Sequence, residues 1–167
     1  PKQVFFYARP ATPRRAFELG ALALKKVCDA RGDTTALLAG WDLELYDLPF
    51  PYVDAKVVSP AKLADMLSQS DAALVLSLTN LSLMPLESLS SGCPLVINEG
   101  PNNDWLIDES VSWFCDLNVD SIAETLMTVL DGGPEVETRR QKGLELAKST
   151  SWDNEFKKFS SYLEAYE

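Results

Sequence analysis

The sequence predicts a doubly wound α/β domain built on a parallel sheet, and three observations point there. Short apolar stretches alternate with helical patterns along the 167 residues. Those stretches are apolar throughout, not at every second position, as befits strands covered on both faces. No repeat, low-complexity tract or linker interrupts the chain, so residues 1–167 read as one domain.

Each element has its own signal. Val4 to Ala8 is aromatic and β-branched without charge, a buried strand. A helix is expected from Arg14 to Ala30, with Thr12 as cap, Pro13 at the first helical position and Phe17, Leu19, Leu22, Leu24 and Val27 as its apolar residues. Thr34 to Ala39 is a second strand, and Gly40 to Tyr52 is loop with one short strand at Leu43 to Tyr46. Val57-Val58 reads as a brief strand, after which Ser59-Pro60 opens a helix through Gln69.

Ala72 to Leu78 is the clearest strand. A helix from about Pro85 to Ser91 stops at Gly92, and Pro94 to Asn98 forms the next strand. Glu99 to Asp104 is loop, and Val111 to Cys115 is the last strand. Asp120 or Ser121 caps a helix through Leu130, with Ser121-x-x-Glu124 as a capping box. Gly132-Gly133 ends it, and two polar-faced helices follow at about Glu135 to Ser149 and Trp152 to Tyr166.

Charge narrows the function. The chain carries a net charge of -10, yet Pro1 to Arg31 holds seven basic residues against Glu18 and Asp29, a net of +5. A nucleic-acid partner is not expected of so acidic a chain. A local positive field instead suits a small anionic ligand. Histidine is absent, which removes Ser-His-Asp and Cys-His catalysis and makes no metal and no cofactor the expectation. Cys28, Cys93 and Cys115 have no metal-binding spacing and read as buried thiols of a cytoplasmic protein. No apolar segment approaches the ~20 residues that span a bilayer. No signal peptide is expected, and Pro1 in place of methionine suggests a processed start or an excised domain.

In doubly wound sheets ligands sit beyond the carboxyl ends of the strands. Three such ends carry polar residues. Arg9 follows the first strand, and Arg14 and Arg15 open the next helix, where a fork of donors matches phosphate oxygens. Pairing with surface carboxylates is the competing reading of these arginines. Leu78-Thr79-Asn80-Leu81-Ser82-Leu83-Met84-Pro85-Leu86-Glu87 runs from a buried strand into a helix start. Glu87 there either complements the helix dipole or accepts from ribose hydroxyls. Asn98 to Asp104 has the glycine and asparagines of any sharp surface turn.

Taken together, "SDAALVLSLTNLSLMPLESLSSGCPLVINEG", Ser70 to Gly100, resembles retaining glycosyltransferases of the GT-B fold. Members read there as a strand, a short loop, Pro-x-x-Glu-Ala-Met-Ala-x-Gly and Pro-Val-Val, and Pro85 to Val96 follows that order. "VFFYARPATPRRAFELGALAL" looks like the first strand and helix of the donor-binding half, particularly in rhamnosyltransferase-like members. Leu63 to Gln69 and Ser151-Trp152 extend the likeness over almost the whole chain.

The resemblance implies a Rossmann-like, nucleotide-sugar-binding half of a hexosyltransferase for a glycan or other acceptor, acting in polysaccharide biosynthesis. By the same resemblance Arg9 and one of Arg14 or Arg15 neutralise the diphosphate, and Glu87 holds the ribose hydroxyls. Amides around Leu83 and Met84 meet the phosphate, Thr79, Asn80 and Ser82 line the sugar side, and the base rests near Val57-Val58. Thr79 stands where many members carry a second glutamate, and Arg14-Arg15 where they carry Lys-Gly. No catalytic residue is assigned. An N-terminal acceptor-binding domain and a peripheral membrane association of the full-length enzyme complete the implied setting, with this fragment inactive by itself. Uridine, deoxythymidine and guanosine donors all fit, and the opening segment leans to dTDP-rhamnose. Two other classes compete: a non-catalytic regulatory or ligand-binding domain of receiver type, and a sugar-nucleotide epimerase half. The first lacks its acidic cluster and the second its histidines.

Overall fold

The computed structural model describes residues 1–165; Tyr166, the expected end of the last helix, lies outside them. Six strands form one sheet: β1 (Lys2–Tyr7), β2 (Thr34–Ala39), β3 (Tyr52–Asp54), β4 (Ala72–Val75), β5 (Leu95–Asn98) and β6 (Ser112–Cys115). All pairings are parallel and the order is β3-β2-β1-β4-β5-β6, so the chain reverses direction across the sheet between β1 and β4. This is the Rossmann-like arrangement, whose ligand crevice opens at that switch point.

Alternating side chains explain why both faces are covered. Val4, Phe6, Ala36, Leu38 and Leu74 pack beneath α1 (Phe17–Ala30) and α4 (Val119–Asp131). Phe5, Leu37, Ala73, Val75, Leu95 and Ile97 pack on the opposite side, against α2 (Pro60–Ser68) and α3 (Met84–Ser90). Burying a side chain the size of Phe5 or Phe6 stabilises by about 1.5–3 kcal/mol, which is what sets the register of neighbouring strands. Gly20 lets α1 lie directly on the sheet: a Cβ there would stand 2.3 Å from Cζ of Phe6.

Several expectations are corrected. Leu43 to Tyr46 is a turn, closed by Tyr46 N donating to Leu43 O at 2.8 Å, because Asp54 holds the Leu43 amide at 3.0 Å. The edge strand is Tyr52–Asp54, and Val57-Val58 is not a strand. Leu22 faces solvent, since the buried stripe of α1 runs through Phe17, Gly20, Ala23, Leu24, Val27 and Cys28. Thr12 makes no side-chain cap, and the expected helix from Arg14 is divided. Pro13–Arg15 is a 3-10 turn, and Ala16 turns left-handed (φ 46°, ψ 46°) before α1 begins. Asn118, not Asp120 or Ser121, caps α4 by accepting from Ser121 N at 2.8 Å. Ser59 caps α2 as expected, accepting from Lys62 N at 3.3 Å.

Two further helices, α5 (Pro134–Ser149) and α6 (Trp152–Glu164), close the chain. Beside its polar face α6 carries an apolar stripe: Trp152 (79% exposed), Phe156 (70%), Phe159 and Leu163 are turned to solvent. The three cysteines are free and buried. Burial above all pushes the thiols of Cys93 and Cys115 up to about 12, which leaves neither as a ready nucleophile. No helix among the described residues is long and apolar enough to cross a membrane.

Candidate functional site

A cavity of about 520 Å³ opens at the β1/β4 switch point. Tyr7 and Arg9 from the end of β1, Gly40 and Trp41 from the end of β2, and Arg15 form one side of it. Ser82, Leu83, Met84 and Glu87 line it from the start of α3, and Val57, Val58 and Leu63 add apolar side chains to the lining. Arg9, Arg15, Ser82, Leu83, Met84 and Glu87 are thus gathered at one place. Thr79 and Asn80 line an adjoining cavity of about 450 Å³, shared with Ser82, Leu83 and Trp105. Arg14 lines neither and is exposed.

The two neighbouring arginines part company within the 3-10 turn. Consecutive residues of a 3-10 turn point roughly 120° apart, so Arg14 and Arg15 face different ways. Arg15 is turned inward, 6% exposed, while the Arg14 carbonyl accepts from Leu78 N at 3.0 Å; the left-handed Ala16 then ends the 3-10 turn. That hydrogen bond ties the turn after β1 to the loop after β4, across the switch point.

The electrostatics are unusual for so acidic a chain. Arg9, Arg14 and Arg15 are in none of the ion pairs formed by the described residues, whereas the other arginines, Arg31, Arg139 and Arg140, all are. Burial first, then the charge of Arg14, hold the Arg15 pKa below its ordinary value; Tyr7 opposes this and Arg9 adds to it. Nη1 of Arg15 and Nε of Arg9 are buried without a hydrogen-bond partner, and so is Oγ of Ser82. Five side-chain atoms among the described residues share that condition, and these three border one cavity. Buried donors of that kind are costly unless a ligand meets them. Glu87 is raised above the usual carboxylate range by burial, with no compensating ion pair to the arginines.

Backbone strain concentrates here too. Ala16, Lys56 and Ser82 are the non-glycine residues with left-handed φ (46°, 59° and 58°) among those described. Each is, or directly adjoins, a residue of the cavity wall. Such strain costs of order 1 kcal/mol or more per residue and gathers at functional sites.

Sequence reasoning missed the supports. Asn98 accepts from Ser77 N at 2.7 Å through Oδ1 and donates through Nδ2 to Ser77 O and Glu99 O, both at 2.9 Å. Asn103 donates to Asn98 O at 2.9 Å and Asn102 to Leu78 O at 3.2 Å. The asparagines of the loop after β5 therefore buttress the strand end that carries Thr79, Asn80 and Ser82. Tyr7, Gly40 and Trp41 also went unread, because only the strand order reveals that the ends of β1 and β2 are neighbours.

Known proteins resemble the chain in sequence or in fold. The O-antigen biosynthesis protein RfbC of Myxococcus xanthus is 28% identical over 162 residues, 93% of this chain and 12% of its own. HepE of Anabaena, solved with UDP and glucose, matches 98% of the chain and 48% of its own at TM-score 0.80 and 14% identity. The C-terminal domain of the group 1 glycosyl transferase LpcC of Francisella tularensis matches 89% of the chain and 85% of its own, at TM-score 0.72 and 12% identity. The fold is that of the C-terminal domain of GT-B glycosyltransferases, and the chain spans well under two thirds of RfbC and of HepE. Residues 2–127 match the family model "WsaF, C-terminal domain", and the chain belongs to that family.

Proposed function

We propose that this domain binds a nucleoside-diphosphate sugar in the switch-point cavity and, within a longer protein, donates that sugar to a glycan acceptor. The observation that carries the reading is the pair of uncompensated guanidiniums, Arg9 and Arg15, facing one cavity in a chain with carboxylates to spare. A pyrophosphate supplies the missing charge. As the sugar leaves, charge builds on that pyrophosphate, and fixed guanidiniums lower the barrier without a metal or other cofactor. Glu87, which lines the same cavity, accepts from the ribose hydroxyls, and the base rests against Val57, Val58 and Leu63. Thr79 and Asn80 face the sugar from the adjoining cavity. The UDP of HepE supports a nucleoside diphosphate as ligand, and the O-antigen role of RfbC supports polysaccharide synthesis. Retention of configuration and a rhamnosyl donor follow the likeness of Ser70 to Gly100 and of the opening segment. An acceptor-binding N-terminal half, a peripheral membrane association and a cytoplasmic location belong to the same reading.

Calorimetric titration with UDP and with inorganic pyrophosphate tests it. Saturable UDP binding is expected, unchanged in Lys148→Ala on the exposed face of α5. Glu87→Gln should weaken UDP about tenfold, the difference between a charged and a neutral acceptor, and leave pyrophosphate untouched because it has no ribose. Acidification through the raised pKa of Glu87 should weaken UDP more than pyrophosphate, since protonation removes an acceptor. Equal loss for both ligands would make Glu87 a structural carboxylate, and binding of none of UDP, dTDP and GDP would reject the reading.

A further inference from the structure

We propose that Tyr7, seated against Gly40 and beside Trp41, is a positioning residue that presents the Arg9 guanidinium to the donor's diphosphate; the inference rests on the nucleoside-diphosphate reading of the cavity. Tyr7 is the last residue of β1, and its hydroxyl accepts from Nη1 of Arg9 at 3.0 Å. Cζ of Arg9 lies 5.7 Å from the Tyr7 ring centroid and 5.9 Å from that of Trp41. Both separations are within the range where a cation is drawn to an aromatic face. One end of the guanidinium is therefore committed to the phenol, and two aromatic rings lie beside it.

This arrangement has a chemical direction. The guanidinium can grip an anion bidentately along the edge formed by Nε and Nη2. Tyr7 occupies Nη1, the nitrogen outside that edge, while Nε is buried and has no protein acceptor. An arginine held by its third nitrogen has already lost the rotamer freedom that a mobile one loses on binding. Gly40 makes room for the device: with φ +110°, a Cβ there would lie 2.7 Å from Cε2 of Tyr7 and 3.0 Å from Cδ2. The end of β2 is thereby shaped to receive the ring at the end of β1.

Tyr7→Phe keeps the ring and removes the acceptor. It should melt as the wild type does, yet bind UDP and inorganic pyrophosphate about tenfold more weakly, by the same factor for each, as expected for one hydrogen bond to a charged group. In an Arg9→Met background, whose remaining affinity rests on Arg15, Tyr7→Phe should add nothing. Gly40→Ala, which displaces the ring, should reproduce the Tyr7→Phe loss wherever it folds. Wild-type affinity in Tyr7→Phe, alongside weakened binding in Arg9→Met, overturns the positioning role and leaves the nucleotide reading standing. Weakening of UDP without pyrophosphate overturns it too, because Tyr7 then touches the nucleoside. Wild-type affinity in Arg9→Met removes both the positioning role and Arg9 as a phosphate ligand.

Discussion

Arg15→Met should raise the melting temperature by about 2–4 °C, roughly 1 kcal/mol for a chain of this size, and weaken UDP about a hundredfold. The two effects have opposite signs for one physical reason. Arg15 is buried, makes no side-chain hydrogen bond among the described residues and lies near the like charges of Arg14 and Arg9. Without ligand its charge is a cost to the fold, which a methionine removes while replacing the arginine's aliphatic stem. With ligand the same charge meets a desolvated phosphate. An arginine held for structure behaves otherwise: losing it lowers stability. Thermal melts with and without UDP separate the cases, since bound ligand adds stability only where the site survives. A lower melting temperature in Arg15→Met, or UDP affinity like that of the wild type, would remove Arg15 from the site.

Asn98→Leu should destabilise the domain by about 3–5 kcal/mol, because it leaves the amide and much of the carbonyl pairing of Ser77 unsatisfied in a dry interior. Asn98 is 2% exposed, and its amide group spans the gap between the ends of β4 and β5, where the ladder has stopped. The change in shape is small, so the lost hydrogen bonds dominate over any cavity. Urea unfolding measures the effect directly, through the midpoint at unchanged slope. A cost below about 1 kcal/mol would mean that water or Asn103 takes over both Ser77 groups. Asn98→Leu should also lower UDP affinity, since the loop it holds carries Ser82, but here stability and binding fall together. That shared sign distinguishes a support of the site from Arg15, which is part of it.

The sheet was legible because its strands are short and uniformly apolar, and burial on both faces leaves no other arrangement for such segments. Edge strand β3 was not: Tyr52–Asp54 is half exposed and ends in an acid, so composition alone marks it as loop. Ser59-Pro60 announced α2 correctly, yet Thr12-Pro13, an equivalent pair, opened only a single 3-10 turn. The difference is Ala16, whose left-handed backbone has no local signal and is imposed by what surrounds it. Which of Arg14 and Arg15 faces the cavity depends on how that turn docks on the sheet, so the choice lay beyond any reading of the strand ends. The asparagines after β5 look like ordinary turn formers in sequence, and their role as clamps depends on β4 lying beside β5. α6 shows the converse, since Trp152, Phe156, Phe159 and Leu163 recur at helical spacing, but nothing in their order says which side of the helix meets the domain.

A crystal structure of the domain grown with UDP tests the central claim most directly. Expected is the diphosphate between the Arg9 and Arg15 guanidiniums, with the ribose hydroxyls on the Glu87 carboxylate and the uracil toward Val57 and Val58. A diphosphate bound away from these arginines, or arginines turned aside to pair with the protein's own carboxylates, would contradict it.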